Sequence, residues 1–168
     1  MFLIWNDYNS KEILAVILIS PNFGLKGTVT QLLKWPGAKY FVPIIVGEYR
    51  TWQPINEKHE KYWTTQYPIK VLFPMINLVR VVKKIDFNQI NLPFLIFSSK
   101  KDSLVDCKKV IKFFNKLNFK KELVFIENSQ DPQNHFLAGE ILSPNTTGKV
   151  SDKIVEFINS VMEIDQKN

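Results

Sequence analysis

The chain has 168 residues, 45% of them hydrophobic and 23% charged, a composition that fits one ordinary globular domain. Thirteen Phe, five Tyr and four Trp exclude a solvated disordered coil, and Cys107, the only cysteine, excludes a disulfide scaffold. The net charge of +6 invites a nucleic-acid or membrane-surface partner, yet the lysines come as scattered pairs (Lys83-Lys84, Lys100-Lys101, Lys108-Lys109, Lys120-Lys121) rather than one tract. No zinc-finger, RRM or KH pattern is present, so no nucleic-acid partner is expected.

Met1–Trp5 is apolar but lacks a basic flank and a small-residue cleavage site, and the polar stretch Asn6–Glu12 interrupts it. The expectation is a cytoplasmic protein with no transmembrane segment. Ile13–Ile19 is a continuous, β-branched run ended by Ser20-Pro21-Asn22, which predicts a strand buried on both faces of a parallel sheet.

Residues 23–91 have another character. Trp35, Tyr40, Phe41, Tyr49, Trp52, Tyr62, Trp63, Tyr67 and Phe73 are broken by Pro36, Pro43, Pro54, Pro68 and Pro74. The longest helical pattern there is about Lys70–Lys84, with Leu72, Met75, Ile76, Val79 and Val82 at helical spacing. An excursion of this length between two strands exceeds a plain crossover and predicts an inserted helical cap.

Phe94–Phe97 is the second strand run, entered through Pro93 and left through Ser98-Ser99. A helix follows over Asp106–Asn118, with Val110, Phe113, Phe114 and Leu117 opposite Lys108, Lys109, Lys112 and Lys116. Leu123–Ile126 is the third strand run, and a helix over Thr147–Ile164 carries Val150, Ile154, Phe157, Ile158 and Val161 on its apolar side. Strand, helix, strand, helix predicts right-handed crossovers and a parallel sheet covered by helices.

Ligands and reactive groups gather beyond the carboxyl ends of such strands. The exit of the second strand carries Asp102 and Asp106, and the exit of the third carries Asp131 and His135. An Asp and a His on neighbouring loops can form the orienting half of a Ser-His-Asp triad, the carboxylate holding the imidazole tautomer and stabilising the imidazolium. Each residue alone also has a plain reading, the Asp as a turn former and the His as an inert side chain.

The stretch Leu92-Pro-Phe-Leu-Ile-Phe-Ser-Ser-Lys-Lys-Asp102-Ser-Leu-Val-Asp106, followed by His135, resembles the carboxyl-terminal half of an α/β-hydrolase. The lipase, carboxylesterase and monoacylglycerol-lipase-like branch is the nearest in character. The resemblance implies an α/β fold of three parallel strands with flanking helices, plus a helical cap. Residues 1–22 and 92–168 then form the partial core and 23–91 the cap. Ile13–Ile19 matches the sixth strand of that fold, Phe94–Phe97 the seventh and Leu123–Ile126 the eighth. Asp102 matches the acid and His135 the base; Asp106 and Asp131 are weaker candidates for the acid, Asp106 being better suited to cap the following helix.

The departure is in the nucleophile. The family places it on a Gly-x-Ser-x-Gly elbow, and none of the six glycines (Gly24, Gly27, Gly37, Gly47, Gly139, Gly148) brackets a serine at that spacing. The resemblance aligns Met1–Trp5 with the tail of the helix after the elbow, so the expected nucleophile lies about one helix length before the first residue. Cys107 sits beside Asp106, whose charge opposes a thiolate, and Ser20, Ser98, Ser99 and Ser103 lack flanking glycines. His59, His135 and Cys107 form no metal spacing and no dinucleotide or P-loop pattern occurs, so neither metal nor cofactor is expected.

The resulting expectation is a truncated serine esterase or lipase-like hydrolase, inactive alone, with a separate amino-terminal chain as a possible partner. An ester or lipid-like small molecule would be the substrate once completed. A non-catalytic interaction or binding protein derived from a hydrolase is the alternative. Without a strand on its far side, the strand at Ile13–Ile19 would leave an open edge of unpaired backbone groups.

Overall fold

The computed structural model describes residues 13–33, 35–87 and 90–165; the expectation for Met1–Trp5 falls outside them. In chain order the elements are β1 (Val16–Ile19), α1 (Thr28–Leu32), α2 (Ala38–Val46), β2 (Tyr49–Thr51), α3 (Glu57–Tyr62) and β3 (Gln66–Pro68). A 3-10 turn (Ile69–Val71) leads into α4 (Leu72–Val82), followed by β4 (Phe94–Ser98), α5 (Cys107–Phe114), β5 (Lys121–Phe125) and α6 (Pro144–Asp165).

β1, β4 and β5 form a parallel sheet in that order, with Val16 opposite Phe94 and Phe94 opposite Lys121. The side-chain period of two sorts each strand onto two faces. Val16, Leu18, Phe94 and Ile96 point into one cluster, with Val110, Phe113 and Leu117 from the α5 region, Phe23 from the exit of β1, and Phe87 and Ile90 from the chain that returns from α4. Ala15, Ile17, Leu95 and Phe97 point to the other side, against Val150, Phe157 and Val161 of α6 and Ile126 and Leu137. Every residue of β4 is buried, as a central strand between two helical layers requires.

β1 is shorter than the apolar run Ile13–Ile19. Its regular part is only Val16–Ile19, and Leu14 and Ile19 are 40% and 43% exposed. Both faces are covered by the two clusters, but β1 is the outer strand of the described sheet and pairs with β4 alone.

The two long helices follow their sequence signals. Asp106 caps α5, its carboxylate accepting the Lys108 amide at 3.0 Å. Pro144 opens α6 at the position where its missing N–H costs nothing. No helix among the described residues is long and apolar enough to cross a membrane.

The segment between β1 and β4 holds its own cluster, built from Leu33, Ala38, Val42, Ile69, Leu72 and Ile76. It is not purely helical. β2 and β3 pair antiparallel, Arg50 opposite Tyr67, around α3. Three-residue strands are too short to show an alternating pattern, and Pro68, at the end of an edge strand, disguises the second. The segment is tied to the core through Leu25, which bridges to Val105, and through the Asp106 amide, which donates to the Gly24 carbonyl at 2.9 Å.

Candidate active site

β4 and β5 are neighbours and parallel, so their carboxyl ends deliver two loops to the same rim of the sheet. The loop after β4 turns at once through Asp102. Its Oδ1 accepts the amides of Leu104 and Val105, both at 2.8 Å, which curls the backbone around the carboxylate and buries it to 2% exposure. The Lys26 ammonium binds the Asp102 carbonyl. Oδ2 is left facing the other loop.

That loop is organised by Asp131, also 2% exposed. Its Oδ2 accepts the amides of His135 and Phe136 at 2.8 and 2.9 Å, and Oδ1 accepts that of Gln133 at 3.2 Å. Asn134 adopts a left-handed conformation (φ 50°), which an Asn tolerates better than most residues. Ser20, at the exit of β1 with φ 47°, gives its amide to Phe97 and its hydroxyl to the His135 carbonyl. The Ser103 amide donates to the Gln133 carbonyl at 2.9 Å, stitching the two loops together.

These restraints bring His135 Nδ1 to 2.8 Å from Asp102 Oδ2. An ionised carboxylate only accepts, so Nδ1 carries the proton and Nε2 of the neutral ring presents a lone pair. The His135 side chain is 20% exposed, and among the described residues nothing hydrogen-bonds Nε2. The arrangement can take up a proton at Nε2 while the buried carboxylate stabilises the charged ring.

The other candidates are placed elsewhere. Asp106 spends its carboxylate on the start of α5 and on Lys109 at 3.3 Å. Cys107 is buried in the first turn of that helix. Ser98 and Ser99 are buried, and Ser99 Oγ accepts the Lys101 amide. Ser103 is exposed and meets the His135 loop through its backbone. His59 is buried in α3, where Nδ1 accepts the Ile55 amide at 3.1 Å. Among the described residues no group of three His, Cys, Asp or Glu side chains is arranged to hold a metal ion.

Neither a protein-family model nor a curated protein matches the sequence. Solved structures do match. The monoacylglycerol lipase of Paleococcus ferrophilus superposes with a TM-score of 0.60 at 16% identity, over 91% of this chain and 61% of the lipase. A soluble variant of the Saccharomyces cerevisiae monoglyceride lipase, solved with a substrate analogue, superposes with a TM-score of 0.60 at 11% identity, over 95% of this chain and 60% of that one.

The chain has the fold of part of an α/β-hydrolase. It spans about three-fifths of the length of the lipases it matches. In this chain β1, β4 and β5 are adjacent parallel strands, and Asp102 and His135 lie on the loops that follow β4 and β5.

Sequence reasoning undervalued Asp131, which holds the backbone of the histidine loop and leaves the ring to Asp102. The signal was present in Asp131-Pro132-Gln133-Asn134, a run of turn-forming residues just ahead of His135. Ser20 and Trp63 gave no comparable signal, since both reach the loop from distant parts of the chain.

Proposed function

We propose that this chain is the acid- and base-bearing part of a serine hydrolase acting on carboxylic esters. Asp102 is the acid, His135 the base, and residues 23–91 the cap over the site. The nucleophile belongs to polypeptide outside these 168 residues, either a longer form of the same chain or a separate amino-terminal chain. The observation that supports this reading is the 2.8 Å contact between His135 Nδ1 and the buried Asp102 carboxylate, with Nε2 unpartnered among the described residues. The two matched structures are a monoacylglycerol lipase and a monoglyceride lipase, which supports an ester of lipid type as the substrate.

In the proposed reaction a serine hydroxyl adds to the ester carbonyl as its proton passes to His135 Nε2. Collapse of the tetrahedral intermediate breaks the bond to the alcohol, which leaves with that proton. Water then repeats the sequence on the acyl-serine, giving the carboxylic acid and free serine. Asp102 keeps the ring oriented and offsets the imidazolium charge in both halves.

The test pairs a short p-nitrophenyl ester with fluorophosphonate labelling. The 168-residue chain alone is expected to show neither turnover nor label. Polypeptide carrying a Gly-x-Ser-x-Gly elbow, encoded upstream or supplied separately, is expected to restore both. His135→Ala should then lower kcat by about 10³–10⁴-fold. A fluorophosphonate label on a serine within these 168 residues would overturn the reading.

A further inference from the structure

We propose that Trp63 is a positioning residue for His135, and that α3 clamps the histidine loop so that the aim of the base depends on how the segment 23–91 is seated. This rests on the reading of His135 as the base. The loop from Asn128 to Ser143 has no helix or strand of its own, so its shape comes from what grips it. From behind, one Asp131 oxygen holds the amides of His135 and Phe136 together. From the front, the grip is aromatic. The Phe136 ring stands edge-to-face on His135, with centroids 5.1 Å apart, and on Trp63 at 4.5 Å. Trp63 stands in turn on His59 at 5.1 Å. Such pairs favour perpendicular rings, and the interplanar angles run from 75° to 87° along the column.

α3 is built to hold that column still. Asn56 caps its first turn by accepting the His59 amide at 2.8 Å, and the buried His59 ring accepts the Ile55 amide. The Trp63 amide closes the last turn on the His59 carbonyl at 3.1 Å. The helix also touches the loop a second time, where Asn56 Nδ2 donates to the Ile141 carbonyl at 2.9 Å. Two contacts, Trp63 on Phe136 and Asn56 on Ile141, therefore bracket the chain just after His135. A shift of α3 must carry Phe136 with it, and Phe136 shares its backbone anchor and its ring contact with the base.

The test follows the Nδ1 proton of His135 by NMR in the full chain. A carboxylate-bound imidazole proton resonates far downfield and exchanges slowly with water. That resonance is expected in the wild type and absent from Asp102→Asn. Its absence from the wild type would overturn the Asp102–His135 reading itself. Trp63→Ala should speed its exchange by about two- to tenfold, the worth of one aromatic pair, and Trp63→Phe should restore it. Trp35→Ala, at a site 63% exposed in the same segment, should change nothing. Asn56→Ala tests the second contact if Trp63→Ala does not fold, and should also speed exchange. Wild-type exchange in a folded Trp63→Ala, or in Asn56→Ala where that variant stands in, would overturn the clamp.

Discussion

Asp131 binds His135 by its backbone and not by its ring: the carboxylate accepts the His135 amide at 2.8 Å, while the imidazole turns away to Asp102. Two buried carboxylates thus divide the placement of one histidine, one shaping the loop and the other orienting the ring. Asp131→Ala should strip three amides of their acceptor and destabilise the chain by about 2–4 kcal/mol, read by urea unfolding. A loss below about 0.5 kcal/mol would contradict the assigned role.

Asp102 and Asp106 sit four residues apart and should separate cleanly. Asp106→Ala removes a helix cap and is expected to cost about 1 kcal/mol of stability while, under the proposed function, leaving ester turnover with the elbow-bearing polypeptide near wild type. Asp102→Asn can keep the Leu104 and Val105 amides bound, yet presents a donor to Nδ1 and favours the wrong tautomer. Its stability should fall modestly and kcat by about 10³–10⁴-fold. Paired chemical denaturation and ester turnover give the comparison, and the opposite pattern would exchange the two roles.

Phe113 is where three parts of the chain meet on one face of the sheet. Its ring stacks on Phe23 at 4.0 Å and stands edge-on to Phe87 at 4.8 Å and Phe94 at 6.0 Å. Phe113→Ala should cost about 3–5 kcal/mol. Tyr40→Ala, on an exposed part of α2, should stay within about 0.5 kcal/mol by thermal or urea unfolding.

Lys153 joins α6 to β5, its ammonium 2.8 Å from both Glu122 and Glu156. Hydrogen bonds to Glu122, then to Glu156, hold its pKa above the ordinary 10.5. A cationic group raised on folding stabilises fully below its unfolded pKa, and the contribution fades as pH climbs through the raised value. Lys153→Met should therefore lower stability slightly at neutral pH, less in high salt, and its difference from wild type should vanish at strongly alkaline pH. Denaturation midpoints at neutral and alkaline pH check the sign.

Local pattern made part of this molecule legible. β4 announces itself because Phe94–Phe97 is apolar without a break, as a strand between two helical layers must be. α5 shows through its segregated lysines, and Asp106 through its place one residue before the first turn. The short β2–β3 pair stayed hidden, since three residues carry no period. The length of β1 is not legible in Ile13–Ile19, because an apolar run does not mark where regular pairing with β4 begins.

What the sequence by itself determined is the order of the three parallel strands and of the helices after β4 and β5, the two strand exits bearing Asp102 and His135, and the lack of a Gly-x-Ser-x-Gly elbow within 168 residues. These depend on near neighbours along the chain, where hydrophobic period and turn chemistry act directly. Only the tertiary structure decided that Asp102 meets the ring, that Asp131 meets the amide, and that Ser20 and Trp63 reach the same loop. Those contacts join residues far apart in sequence. They arise only when parallel pairing sets two loops side by side and the intervening segment folds back over them.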